Sequence, residues 1–420
     1  MTRKSVLVLD NFPQTLAVVR SLGAAGYHVV LGFNGKKSEA AFSRYCHESW
    51  AHPPMDELQE FGTAMRRLLD VRRDIQWIFP VTETSVKLLC QMRDILGREI
   101  KTVMVPPLLF EACLDKQKAN GLAGSANLLF PKTHVVSDSR QLEEAISTIG
   151  FPVIIKAVRS VKLVFGRKAY VITSEDEFNS VFDEWPDEHE DLMVQQFIVG
   201  PVEAGDFVAQ NGTLIAYCEG CTERTDLLDG TGYGVEFRIV PPSPDLLEAT
   251  KAFVKANRYT GPGIIQFIRE TDTGKIFFLE NNPRLSAGVA DSIASGQDLP
   301  LLALMVIENN HCTTIKEFSW DCEPYKVNHY AYWFSRDLSG YLRQRKDLSK
   351  EERRIWLTSM IRSIGRADSH IIWQLRDPVP AIWLLTGLAA RFVRRRSRFA
   401  RRPVSAASGK AGAQYRSTDE

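Results

Sequence analysis

Long hydrophobic runs are missing from this 420-residue chain. The apolar stretch from Ala381 to Ala390 falls well short of the roughly 20 residues that a membrane-spanning helix needs. No basic segment followed by an apolar core opens the chain, so a secretory leader is not expected. The seven cysteines are an odd number, which argues against a disulfide framework and for free thiols in a reducing cytosol. Only Cys218 and Cys221 have metal-like spacing, and no second Cys or His pair lies close in sequence, so two ordinary thiols near a strand end are expected rather than a zinc site. The eight histidines are scattered, and no Ser–His–Asp or Cys–His hydrolase constellation stands out. The turn "DNFPQT" after the first apolar run lacks the spaced glycines of a dinucleotide fingerprint, which removes the case for nicotinamide or flavin binding there. Internal repeats are absent as well.

What is present is an ordinary globular composition, 44% hydrophobic, in a chain long enough for two or three domains. The near-neutral total hides an asymmetry. Residues 1–377 carry 43 basic and 49 acidic side chains, whereas 378–420 carry 9 basic and 2 acidic ones. The body therefore gives no reason to expect nucleic acid as a partner, while the tail favours an anionic surface.

"SVLVLD" (5–10), "QTLAVVRSLGAAG" and "YHVVLGF" set up the strand–helix–strand rhythm of an open parallel sheet. A helix over about 56–70, the strand "IQWIFPV", a helix over 84–95 and the strand "TVMVP" (102–106) continue it, and this module is expected to end near residue 112. A helix then runs from Leu114 to Ala123. "THVV", "PVIIKAV", "KAYVIT" and "DLMVQQFI" read as strands, with "SRQLEEAISTI" and "SEDEFNSVF" as helices, which describes a small α+β lobe. Strand and loop dominate 207–240. A helix (245–257) precedes the strand pair 263–270 and 275–280, joined by the natural turn "ETDTGK". "DLPLLALMVIE" is an apolar helix, and beyond about residue 315 the pattern weakens.

The strand "FFLENNPRL" ends in polar residues, and buried polar groups cost free energy unless something pairs with them. Glu280 and Asn282 lie two apart, hence on one face, and Gln266 on the preceding strand is placed to face them. One carboxylate and two amide oxygens meet magnesium's demand for hard donors. Arg284 offers an anion a fork of donors in the same space. A polar strand terminus leading into a turn accounts for the same spacing. Lys116, opening a helix, and Lys156, ending an apolar strand, are each able to neutralise phosphate, although single lysines more commonly serve as surface charges.

"LDKQKANGLAGSANLLFPKT", "FPVIIKA", "LMVQQFIVGP" and "GIIQFIRETDTGKIFFLENNPRLS" occur in the order and spacing of the ATP-grasp superfamily. The last segment resembles the ATP-grasp modules of carbamoyl-phosphate synthetase large chains, and the whole arrangement is similar to that of predicted carboxylate–amine ligases over roughly residues 1–315. The resemblance implies an α/β and α+β chain with a Rossmann-like pre-ATP-grasp domain (1–112), a small lobe (113–192) and a large lobe holding the metal site (193–315). A C-terminal helical extension with a basic amphipathic segment (316–402) and a disordered tail (403–420) complete the expectation.

By the same resemblance Lys116 and Lys156 are the nucleotide-phosphate lysines, and Gln195, Gln196, Phe197 and Ile198 form the hinge. Ile198 would meet adenine through its backbone. Glu203 is the carboxylate nearest the ribose position, with the register slipping by one residue there. Gln266, Glu280 and Asn282 are implied metal ligands, Arg284 the anion-binding arginine and Arg224 a γ-phosphate arginine. One departure is plain: where many members carry a glycine-rich phosphate loop, this chain has "AVRSVKLVFGRKAYV" with Gly166 alone. Either Arg167 and Lys168 supply by charge what amides supply elsewhere, or the loop is degenerate and turnover is lost; the intact metal set favours activity.

The implied chemistry is ATP with magnesium, or manganese in its place, phosphorylating a carboxylate substrate to an acylphosphate that an amine then attacks. A nucleotide-binding sensor or scaffold and an ATP-grasp phosphotransferase are the alternatives. The segment 372–402, with Trp373, Trp383 and an arginine cluster, reads equally as an interfacial helix on anionic headgroups or as an apolar face packed on the body with solvated arginines. The expected location is the cytoplasm, with peripheral contact at the inner membrane face under the first of those readings.

Overall fold

A computed structural model describes residues 4–97, 99–158, 164, 169–182, 188–227, 232–308 and 325–387. The first sheet contains β1 (Ser5–Leu9), β2 (His28–Phe33), β3 (Glu48–Ala51), β4 (Ile75–Pro80) and β5 (Lys101–Thr102), in the order β3-β2-β1-β4-β5 and all parallel. Every residue of β1 is buried, as a continuous apolar run requires when helices cover both faces of a parallel sheet. The strand expected over 102–106 is shorter here, because the chain turns at Pro106 into a helix, Pro107–Leu114. A second helix, Lys116–Ser125, follows after Asp115, whose side chain caps it by accepting from the amides of Gln117 and Lys118 at 3.0 Å each. The helix expected from Leu114 thus starts two residues later, and the helix before it was not expected; the chain breaks between them at an aspartate, which prefers the N-cap role to a helix interior.

The small lobe is a four-stranded sheet of β6 (Thr133–Asp138), β7 (Val153–Ala157), β8 (Ala169–Ile172) and β9 (Glu188–Gln196), ordered β6-β9-β7-β8. Its core is its own: Leu142 and Ile146 from the helix Ser139–Ile149 pack on Val153, Ile155 and Val194. The large sheet has seven strands, β10 (Val202–Gln210), β11 (Thr213–Thr225), β12 (Gly234–Ile239), β13 (Gly261–Arg269), β14 (Ile276–Asn282), β15 (Tyr330–Tyr332) and β16 (Ser369–His370), in the order β14-β13-β10-β11-β12-β15-β16. One continuous core joins this sheet to the first one, with Phe207, Tyr217, Phe253 and Phe278 on one side and Leu7, Val30 and Ile78 on the other. The C-terminal extension contributes two strands to the edge of the large sheet, the helices Phe334–Gln344 and Lys350–Arg366, and a further helical stretch over 379–387.

Candidate active site

The hairpin of β13 and β14 decides where the polar strand end points. Gln266 pairs with Glu280 and Ile264 with Asn282, so Gln266, Glu280 and Asn282 share one face of the large sheet. Asn281, between them, points the other way, is buried, and donates to Cys113 Sγ and the Tyr259 hydroxyl. Alternation therefore splits "ENN" into a core residue and two residues that face the small lobe. The Asn282 amide donates to Glu280 Oε1 at 2.7 Å, which directs the Asn282 oxygen away from the carboxylate.

Two lysines meet this face. Lys116, at the start of its helix, donates to the carbonyl of Ala157 at 2.8 Å, and Lys156 donates to Gln195 Oε1 at 2.8 Å. Gln195 is buried and in turn donates to the Thr133 hydroxyl at 3.0 Å, so a side chain from β9 and one from β6 fix the Lys156 ammonium. Burial pushes the Lys156 pKa down to about 8, with repulsion from Lys116 adding to the drop and attraction to Glu280 opposing it. Burial lowers Lys116 as well, again opposed by Glu280. Two cations from different elements and one carboxylate thus act on one another across the cleft, and the cations outnumber the carboxylate. Such a cluster is set up to receive an anion.

Next to it, Arg284 donates to the carbonyl of Leu285 at 3.0 Å and exerts an attraction on Asp206. Asp206 lies in the same row as Asn282, through Ile264, and accepts from the Ser286 hydroxyl at 2.9 Å. Burial raises its pKa to about 7. Burial, and then repulsion from Asp206, raise the pKa of the buried Asp291 as well. One carboxylate oxygen of each has no partner among the described residues. Asp206, Ser286 and Asp291 were not among the residues the sequence pointed to; the one signal is an acid, Asp206, set among small and apolar residues in the middle of β10.

The hinge is tied to the small lobe by hydrogen bonds and packs against the large lobe at Gly200. Gln196 and Phe197 donate their amides to the carbonyls of Lys132 and Pro152 at 2.9 and 3.0 Å. Ile198 is buried, and among the described residues no backbone hydrogen bond engages its amide. Gly200 packs so tightly on β13 that an added Cβ would lie 1.8 Å from the carbonyl oxygen of Arg269, so only glycine fits there.

Two expected site residues lie elsewhere. Glu203 pairs with Phe267, not Gln266, which places it on the opposite face of the sheet, and Arg269 binds both its oxygens at 2.8 and 2.7 Å. Arg224, near the end of β11, is held by both oxygens of Asp337, one at 3.0 Å, and lies 3.6 Å from Glu236. Its charge is already matched by carboxylates. Lys168, with most of the glycine-poor loop, lies outside the described residues. Cys218 and Cys221, three apart in an extended strand, project to opposite faces.

No protein-family model matches the sequence, and no curated protein sequence matches it. Solved structures do resemble the fold. The biotin carboxylase domain of 2-oxoglutarate carboxylase from Hydrogenobacter thermophilus, crystallised with MgADP, ADP and bicarbonate, superposes with a TM-score of 0.58 at 16% identity, over 79% of this chain and 74% of that one. The L-amino acid ligase from Bacillus licheniformis gives 0.56 at 13% identity, over 76% and 78% of the two chains. N5-carboxyaminoimidazole synthetase from Staphylococcus aureus gives 0.54 at 14%, over 72% and 77%. The chain therefore has the ATP-grasp fold.

Proposed function

We propose that this protein is an ATP-dependent ligase that joins a carboxylate to an amine or related nucleophile through an acylphosphate, releasing ADP and phosphate. The observation that carries this reading is the meeting of Lys116, Lys156 and Glu280 in the cleft between the lobes. The likeness to enzymes crystallised with ADP, or with MgADP and bicarbonate, supports it.

The donor set fits a magnesium ion that arrives with the nucleotide. Among the described residues no group of three or more His, Cys, Asp or Glu is arranged to hold a metal by itself, and one carboxylate with two amides is a weak cage. Magnesium commonly takes one or two protein carboxylates and completes its shell with phosphate and water. Glu280, Asn282 and Gln266 would hold it there, and when bound it would offset negative charge on the phosphoryl oxygens.

The chain's own groups carry the rest. Lys116 and Lys156 bind the phosphate oxygens and stabilise charge that builds during transfer. Gln195 and Thr133 keep Lys156 in place, which limits the reorganisation needed at the moment of reaction. Arg284 orients an anionic substrate group beside Asn282. The Ile198 amide offers a donor to the adenine edge. Closure of the lobes keeps water from an acylphosphate that hydrolyses readily.

The test is a screen of paired carboxylates and amines with ATP and magnesium, reading ADP release and the mass of any condensed product. Glu280→Ala should abolish turnover without lowering the melting temperature of the free protein. Wild-type turnover by that variant, on a pair the wild type condenses, would refute the site. Nucleotide binding without ADP release on any pair would favour the sensor reading instead.

A further inference from the structure

The C-terminal segment presents an apolar surface that the ligase reading does not use. Twenty large hydrophobic side chains are exposed among the described residues, and ten of them fall within residues 355–385. The helix Lys350–Arg366 explains part of this. Trp356 and Met360 face inward with Ser363, while Leu357, Ile361 and Ile364, also spaced by four and three, form a second stripe that faces out. Ile361 is 72% exposed. A groove of about 230 Å³, lined by Phe334, Ile364, Trp373, Leu384 and Leu385 among others, connects that stripe to the following segment. There Leu375, Val379, Ile382 and Trp383 extend the surface, with Leu375 87% exposed.

This segment is pinned in place. Asp377, fully buried, accepts from Arg20 Nε at 2.8 Å, from the Ser43 hydroxyl at 2.7 Å and from the Arg44 amide at 2.9 Å. Arg20 also donates to the carbonyl of Ile372 at 2.8 Å, and Trp383 stacks on Phe42 with ring centroids 4.8 Å apart. A buried ion pair to the first domain thus fixes the backbone that carries the exposed apolar side chains. They cannot turn inward without breaking it.

We propose that this face docks on an anionic lipid bilayer. The charge next to it decides the occupant. Arg362 and Arg376 are exposed on the same stretch, as are Arg354 and Arg366, which pair with Glu351 at 3.0 Å and Glu236 at 3.6 Å, and the sequence beyond, "RFVRRRSRFARR", adds seven arginines and no acid. Tryptophan and aliphatic side chains beside an arginine cluster supply the two signals, apolar insertion and headgroup attraction, that stable peripheral binding needs. Among the described residues no helix is long and apolar enough to cross a membrane, so the contact is with one leaflet. The sequence pointed to residues 372–402; the structure extends the face back to Ile355. This inference is independent of the ligase reading.

The full-length protein should be mixed with vesicles of phosphatidylcholine alone or with one-third phosphatidylserine, and sedimented at low and high salt. Binding to the anionic vesicles should be at least tenfold stronger than to the neutral ones and should weaken with salt. Ile361→Asp with Leu375→Asp, and separately Arg394, Arg395 and Arg396 replaced by glutamine, should each lower it at least tenfold with unchanged melting temperatures. Equal binding to both vesicle types, or no effect of either variant, would overturn the proposal. So would a concentration-dependent dimer, seen by light scattering, that the Ile361→Asp, Leu375→Asp protein no longer forms while vesicle binding stays absent in the wild type.

Discussion

Replacing Lys156 with methionine isolates the electrostatics on which nucleotide binding rests. In the folded chain the Lys156 ammonium titrates near about 8, against its ordinary 10.5, because it is buried beside Lys116. The unfolded chain therefore binds more protons than the folded one between those values, and the wild type gains stability as pH rises through that window. At roughly 1.4 kcal/mol per pH unit, the gain from about pH 7 to about pH 9.5 comes to about 2 kcal/mol, nearly all of it above pH 8. Lys156→Met cannot titrate, so the wild-type minus variant unfolding free energy should climb by about 2 kcal/mol across that range. The absolute value at neutral pH is a poorer test. The variant loses a costly buried charge, but it also strips Gln195 Oε1 of its donor, which costs about 1–3 kcal/mol. Urea unfolding of both proteins at a series of pH values measures the slope. The same variant should lose most of the melting-temperature rise that MgATP gives the wild type. A difference that stays flat with pH, or an undiminished ATP effect, would refute the assignment of Lys156 as a desolvated phosphate cation.

Asp337 is buried and accepts from Arg224, from the Tyr332 hydroxyl at 2.7 Å and from Trp356 Nε1 at 2.7 Å. Asp337→Ala should destabilise the protein by about 3–5 kcal/mol in chemical denaturation, as breaking one side of a buried pair does, and a loss below about 0.5 kcal/mol would show that the network is not structural. Asp206 has the opposite pH signature to Lys156. Its folded pKa, raised by burial to about 7 from 3.8, gives a contribution present at low pH and lost as pH rises through 7. Asp206→Asn should remove that loss, so the variant should gain on the wild type by at most about 4 kcal/mol between about pH 4 and pH 8. Unfolding curves with no relative gain would place the raised pKa elsewhere.

How much of this was legible depended on how local the determining contacts are. The face shared by Gln266, Glu280 and Asn282 follows from strand alternation and a six-residue turn between neighbouring strands, both of which the sequence displays. Lys116 and Lys156 are different. As single residues they look like surface charges, and only their order relative to the other motifs marked them. Gln195 was read as hinge, yet its side chain fixes Lys156, because β7 and β9 become neighbours only in the folded sheet. Asp206 was missed for the same reason: its place beside Asn282 depends on the register of β10 against β13, strands more than fifty residues apart. Strands β15 and β16, with three and two residues, are too short for alternation to show.

Glu203 and Arg224 show what motif alignment leaves undetermined. Each has the residue type its expected role needs, and the strand it sits on is where the resemblance puts it. A one-residue step along a strand moves a side chain to the opposite face, and that step gives Glu203 to Arg269 rather than to the cleft. Arg224 is decided by a residue 113 positions later. Asp337 comes from the C-terminal extension, where no motif was read, and it neutralises the guanidinium before any ligand arrives. A half-buried arginine paired with both oxygens of a buried carboxylate that also accepts from tyrosine and tryptophan is a structural anchor. Arg224 thus ties the extension to the large sheet. That leaves Lys116, Lys156 and Arg284 as the cationic groups gathered around Glu280 and Asn282 among the described residues.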